Sequence, residues 1–229
     1  MTPVGVKLKN AVKVALKSAL MALPVQHPTN GFRILTYHSI GYRNSETNVT
    51  PAVFREHMSW LRDHYPVVSL LDAAEYGSGV AVTLDDGYQD NLLYAAPILN
   101  ECKIPATVFV VAGSLGRPLW DKEDPETSRL LDEQELVMLH NMGISIGAHG
   151  MTHRRLAALT TQEQEREIKD SVNTLTKILK TPVREFAYPF GTAADYTQET
   201  IRLVAQTTCV VAVSNRYGVN PEGSDVLNL

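Results

Sequence analysis

Two adjacent carboxylates, Asp85 and Asp86 in "VTLDDGYQD", and two histidines four residues apart, His149 and His153 in "GAHGMTHRRL", could do chemistry together. Neighbours in a regular strand point to opposite sides, but a turn at Gly87 lets both carboxylates aim into one pocket. Asp-Gly is also ordinary turn chemistry, so "DDG" by itself reads first as an acidic turn. Two imidazoles at i and i+4 share a face if even one helical turn joins them, and they suit zinc or another first-row divalent ion. A His-xxx-His spacing alone is a weak signal; a carboxylate on the same rim strengthens it. Two His and one Asp would leave coordination positions open for water and substrate. Beside a second carboxylate, such a metal makes a hydrolase: it polarises a carbonyl and lowers the pKa of water, while the spare Asp takes the proton. An acid for the leaving group is still required, and histidine suits that task near neutral pH. His38, at the tip of "RILTYH", is either a tethered core residue or that acid.

These groups act together only if the fold carries them to one rim. After residue 31 the chain alternates strand-like and helix-like segments. "RILTYH" precedes a helix that opens at Thr50-Pro51, an N-cap followed by proline at the first helical position. "PVVSLL" is a short strand candidate, and "GVAVTLDDG" is a nearly continuous β-branched run. "DNLLYAAPILNECK" reads as a helix capped by Asp90, "IPATVFVVAG" as a strand, and "DEQELVMLHNMG" as a helix stopped by Gly143. "ISIGAH", a long helix from Thr160, "REFAYPFG" and "CVVAVSN" complete the alternation. Strands apolar on both faces and separated by helices imply a parallel sheet with helices outside, as a βα barrel or an open doubly wound sheet. In either, the C-terminal strand ends share one face, and there fall His38, Asp85, Asp86, His149 and Tyr188-Pro189.

A chain of 229 residues with 44% hydrophobic and 20% charged content can bury one large core. Its net charge of -4 gives no reason to expect nucleic acid. All six basic residues before Glu46 precede any acidic one, so the remainder is distinctly acidic. Cys102 and Cys209 lie far apart with no metal-finger spacing and read as buried free thiols. Residues 1–30 form a basic amphipathic helix and linker ahead of a catalytic domain at 31–229. Lys9, Lys13 and Lys17 share one helical face, and Val12, Leu16, Ala19 and Leu23 cover the other. This helix either packs on the domain's flank or makes peripheral membrane contact through residues 5–23. The apolar stretch is too short for a signal peptide, which points to a cytoplasmic protein.

Together "TLDDG", "HGMTH" and "FAYPFG", in that order on successive strands, resemble the polysaccharide deacetylases of carbohydrate esterase family 4, from about Arg33 onward. The resemblance implies a deformed (β/α) barrel, here of about seven parallel strands, and one divalent metal, commonly zinc. It implies a metal-dependent hydrolase removing N-acetyl groups from an acetylated sugar of the N-acetylhexosamine type. By resemblance Asp85 is the general base, and Asp86, His149 and His153 hold the metal. The backbone N–H of Phe190 meets the oxyanion, and Tyr88, Tyr188 and Pro189 wall the substrate pocket. Trp120, in the loop after the fourth strand, could stack on a sugar ring or anchor its loop. Three departures stand out: Ala187 replaces the Arg that orients the base in the family, with Arg184 one turn of strand earlier. The Asp-Trp motif is absent, and no late Leu-x-His strand exists. A further closing strand would be expected, so the domain reads as cut short at its C-terminus. In the subgroup resembling the poly-N-acetylglucosamine deacetylases, the acid histidine sits instead in an early "YH" strand, and "LTYHSI" matches it. His38 inherits the general-acid role there. The alternative is a catalytically impaired carbohydrate-binding protein on the same fold.

Overall fold

The alternating segments assemble around one parallel sheet in the computed structural model, which describes residues 31–118 and 128–229. The N-terminal helix expected at residues 1–30, and Trp120, lie outside the described residues. The sheet strands are β1 (Gly31–Tyr37), β4 (Ser78–Leu84), β5 (Ala106–Val110), β6 (Ser145–Ala148), β7 (Glu185–Ala187) and β8 (Val211–Val213). They lie side by side in the order β1-β4-β5-β6-β7-β8, every pairing parallel. Among the described residues, six parallel strands with helices around them make a half-barrel of the deformed (β/α) type, as the resemblance implied. A separate two-stranded sheet, β2 (Ser39–Ile40) with β3 (Asn48–Val49), braces the loop after β1.

Strand alternation explains why both faces are apolar. Val80, Val82, Leu84, Val108, Val110, Ile146 and Phe186 face the helix layer. Ala81, Phe109, Ala187, Val211 and Val213 face the interior, with buried Thr83, Thr107 and Glu185 among them. Gly147 lies opposite Phe109 in the sheet, and a Cβ there would stand 2.4 Å from its ring. The helix layer comprises α1 (Pro51–His64), α2 (Leu70–Tyr76), α3 (Ala96–Cys102), α4 (Glu133–Asn141), α5 (Thr161–Glu165), α6 (Ser171–Leu179) and α7 (Gln198–Ala205). One π-helical turn, Asn91–Ala95, leads into α3, and another, Arg166–Asp170, joins α5 to α6.

Helix starts follow their caps. Thr50 accepts from Val53 ahead of Pro51, and Asp132 and Thr160 each close a reciprocal capping box. Two expectations fail. "PVVSLL" is no strand: Val67 makes a lone bridge to Val80, and Ser69 caps α2 by accepting from Asp72. Leu70 and Ala73 of α2 then join the interior cluster. Asp90 does not cap the helix after "DDG"; its carboxylate accepts instead from the Ser39 hydroxyl and the Ile40 N–H, tying β2 to the sheet.

The two edges of the half-barrel are both engaged by residues 220–229. Asn220 exchanges two backbone hydrogen bonds with Phe32 of β1, while Val226 and Leu229 bond to Ala212 of β8. Leu229 is buried in the interior cluster. Both cysteines are buried free thiols.

Candidate active site

At the C-terminal end of the sheet, His38, Asp85, Asp86, His149, His153, Phe190 and Tyr88 line one pocket. Asp85 follows β4 and is fixed by its N–H donating to the Tyr37 carbonyl at 2.8 Å. The chain then turns sharply, with Asp86 at φ 73° and Gly87 at φ 78°. Left-handed backbone at a non-glycine residue is tolerated best by Asp and Asn, and this turn is what carries both carboxylates to one side. Asp85 is buried, and its Oδ1 has no hydrogen-bond partner among the described residues. Burial, and then the adjacent Asp86 carboxylate, push the Asp85 carboxyl well above its ordinary value.

His149 and His153 meet, but not through a helical turn. Gly150 at φ 77° and His153 at φ 55° fold "HGMTH" into a tight loop. Its brace is Glu167 on the π turn: one carboxylate oxygen accepts the N–H groups of Met151 and Thr152, each at 2.9 Å, and the other accepts the Thr152 hydroxyl. Gly150 is required for that approach, since a Cβ would stand 3.2 Å from the Glu167 oxygen in an already left-handed backbone.

Asp86, His149 and His153 are buried, and one donor atom from each lies within 4.8 Å of the others. Nε2 of His153 is 3.4 Å and Nε2 of His149 3.7 Å from Asp86 Oδ1. Nδ1 of His149 lies 2.8 Å from the Ala187 carbonyl, an acceptor only, so Nδ1 carries the proton and Nε2 keeps its lone pair. Burial holds His149 well below the usual imidazole range and brings His153 down to about 4. Two neutral imidazoles and a carboxylate, buried and convergent, fit a divalent metal of the zinc class.

His38 is half-buried at the pocket wall, its carbonyl accepting from Asn91 at 2.8 Å. Burial lowers its pKa. Phe190 sits in left-handed backbone at φ 63°, held by Asn215, which donates to its carbonyl at 2.9 Å. Its ring packs against His153 with centroids 4.7 Å apart, and the Arg155 guanidinium lies over the ring, 4.1 Å from its centroid. The Phe190 N–H makes no hydrogen bond among the described residues.

Not every expected wall residue is there. Tyr88 lines the pocket, beneath the Arg43 guanidinium at 4.2 Å. Tyr188 does not: it stacks on Tyr196 at 4.2 Å in the helix layer and donates its hydroxyl to the Leu227 carbonyl. Phe186 and Tyr188 share one strand face, and Ala187 takes the inward one. Pro189 is buried against Gly150, behind the histidine loop. Arg184 is exposed at the start of β7, the opposite end of the strand from the pocket, and does not replace the missing arginine. Arg43, Ser45, Thr47 and Asn215 line the pocket and were not foreseen. No local pattern marks them, because they arrive on loops. Glu167 had a faint signal, an acid beside Ile168 on a helix face otherwise turned to the core.

A family model for polysaccharide deacetylase matches residues 74–210. YxkH of Bacillus subtilis is 30% identical over 194 residues, which cover 81% of this chain and 64% of that protein. The poly-beta-1,6-N-acetyl-D-glucosamine N-deacetylase of Staphylococcus aureus is 26% identical over 167 residues, 65% of this chain and 55% of that one. The chain thus spans less than two thirds of the length of these relatives. In solved structures the fold recurs in Streptococcus pyogenes deacetylase PplD in complex with acetate, with a TM-score of 0.73, 24% identity and coverage of 88% and 90%. IcaB from Ammonifex degensii gives a TM-score of 0.73 and 24% identity, with coverage of 85% and 88%. With the "DDG" turn, the histidine loop and the parallel half-barrel in place, this chain belongs to the polysaccharide deacetylase family.

Proposed function

We propose that this protein is a metal-dependent hydrolase that removes N-acetyl groups from an acetylated polysaccharide of the N-acetylhexosamine type. The observation that carries the proposal is the convergence of a partner-free buried carboxylate, Asp85, with the Asp86-His149-His153 cluster in one pocket. Asp86, His149 and His153 would hold the metal, zinc by their donor types. When bound, it supplies Lewis acidity and a water of lowered pKa. Asp85, in the same pocket and with no hydrogen-bond partner on its Oδ1 among the described residues, takes a proton from the attacking water. The Phe190 N–H, which makes no hydrogen bond among the described residues, donates to the oxyanion that develops on the acetyl oxygen. His38 gives a proton to the departing nitrogen as the C–N bond breaks, leaving acetate and a free amine on the sugar. Tyr88 walls the pocket, and acetylated glycan is the partner.

Acetate release from N-acetylglucosamine oligomers, with and without chelator, tests this reading. His38→Ala is expected to retain the metal and lose turnover by about 100-fold or more, the range of acid–base catalysis; undiminished release would remove His38 from the mechanism. A carbohydrate-binding protein without catalysis is the second reading, favoured by Ala187 in place of arginine. A purified protein holding no stoichiometric metal would support it.

A further inference from the structure

Phe190 holds a backbone conformation that its side chain disfavours. At φ 63° it lies in the left-handed region, where a bulky residue stays only if its surroundings hold it. The direction of its N–H relative to the ring and the following chain depends on that angle. Whatever fixes φ therefore also aims the donor.

Two sets of contacts hold it. On the carbonyl side, the Asn215 side chain donates to the Phe190 carbonyl and the Asn215 N–H to the Gly191 carbonyl, each at 2.9 Å. On the ring side stand the His153 imidazole and the Arg155 guanidinium, the latter over the ring. Arg155 is itself anchored. Its side chain is half-exposed, but it pairs with the carboxylate of Asp195, which is 1% exposed. The other Asp195 oxygen accepts the Thr192 N–H at 2.9 Å and the Thr192 hydroxyl. The Asp195 carbonyl accepts the Ala157 N–H at 2.8 Å. Residues 192–195, which leave Phe190 and Gly191, are thus tied across to residues 155–157, which leave the histidine loop. A planar guanidinium offers its edge to a carboxylate and its face to an aromatic ring at once, which a lysine ammonium cannot do.

We infer that Arg155, anchored by Asp195, is a positioning residue that keeps Phe190 left-handed and so fixes where its N–H points. The inference rests on the deacetylase reading, in which that N–H meets the oxyanion. Neither Arg155 nor Asp195 touches the reacting atoms.

Arg155→Met keeps the apolar stem and removes the charge and the planar face. In acetate release from N-acetylglucosamine oligomers its kcat is expected to fall roughly 10–100-fold with KM within about twofold, because a displaced oxyanion donor is missed only in the transition state. An unchanged kcat overturns the inference, and so does a loss confined to KM. A buried Asp195 without its cation costs stability in its own right, so Arg155→Met/Asp195→Asn removes both charges while the amide still accepts from Thr192. Recovery of Tm without recovery of kcat supports the positioning role; recovery of both makes the pair a stability bridge and overturns it. Arg155→Lys is expected not to restore kcat, and full activity in that variant would show that charge alone suffices, against the inference. Acetate release from no substrate by the wild type would sink the deacetylase reading alone. The clamp on Phe190 is then decided by NMR of the metal-free protein, where the cross-relaxation between the Phe190 N–H and its Cα–H is strong only at positive φ. Its weakening in Arg155→Met supports the clamp, and a signal as strong as in the wild type overturns it.

Discussion

Replacing Glu167 probes whether the metal-binding histidines are preset by the fold. Its carboxylate takes three hydrogen bonds from the loop between His149 and His153, two from backbone N–H groups. Bonds to a charged acceptor contribute about 1.5–3 kcal/mol each, and a buried donor left without a partner costs about 1–3 kcal/mol. Glu167→Gln keeps the shape: the amide oxygen still accepts both N–H groups, and its NH2 can face the Thr152 hydroxyl. Only the charge assistance is lost, on the order of 1–2 kcal/mol. Glu167→Ala leaves two part-buried N–H groups without their acceptor and removes a buried side chain, a loss of about 2–4 kcal/mol. Both losses fall on the folded loop that brings His153 within reach of Asp86. Metal affinity is therefore expected to drop about tenfold in the Gln variant and roughly 100-fold in the Ala variant, as for groups that orient ligands. Zinc competition against a chelator reads this directly, and melting of the metal-free proteins reports the cost to folding. If both variants melt lower yet bind zinc as the wild type does, Glu167 braces the fold and has no part in presetting the site.

Asp86→Asn keeps a side chain that tolerates the left-handed turn, so the protein is expected to fold while failing to retain metal on elemental analysis; a stoichiometric metal in this variant would remove Asp86 from the ligand set. Glu185 is buried in the barrel interior with its pKa pushed up to about 7 from 4.5. Between those values the folded state holds a proton that the unfolded state has lost, so stability falls as pH rises through that window, by on the order of 3 kcal/mol in total. Glu185→Gln is expected to be more stable than the wild type at pH 8 and close to it at pH 4.5 in denaturant titrations; an equal difference at both would refute the linkage. Gly147→Ala sets a methyl 2.4 Å from the fully buried Phe109 ring, and an overpacking cost of about 1–3 kcal/mol or more is expected as a lowered Tm.

The sequence alone determined what is local or periodic. Val80 to Leu84 is β-branched and apolar on both faces, which only a covered parallel strand explains, and the "DDG" after it supplies its own turn. Thr50-Pro51 and Thr160 announce their helices because a cap and its partner lie within three residues. The strand–helix alternation put His38, Asp85, Asp86 and His149 at strand ends on one rim, with His153 four residues on, and the structure brings them together there.

Tertiary structure decided whatever depends on a distant partner. "PVVSLL" is too short for periodicity to separate strand from helix, and the hydroxyl of Ser69 settles it. Asp90 has a helix beside it and yet serves Ser39, fifty-one positions away in sequence, because packing brings that hydroxyl nearer. Tyr188 follows strand alternation into the helix layer, where the Leu227 carbonyl takes its hydroxyl, and so leaves the pocket. The histidine loop closes through Glu167 and not through a helical turn. Reactive residues write their own signature into a sequence; the groups that aim them are chosen by proximity in the folded chain, which no local pattern encodes.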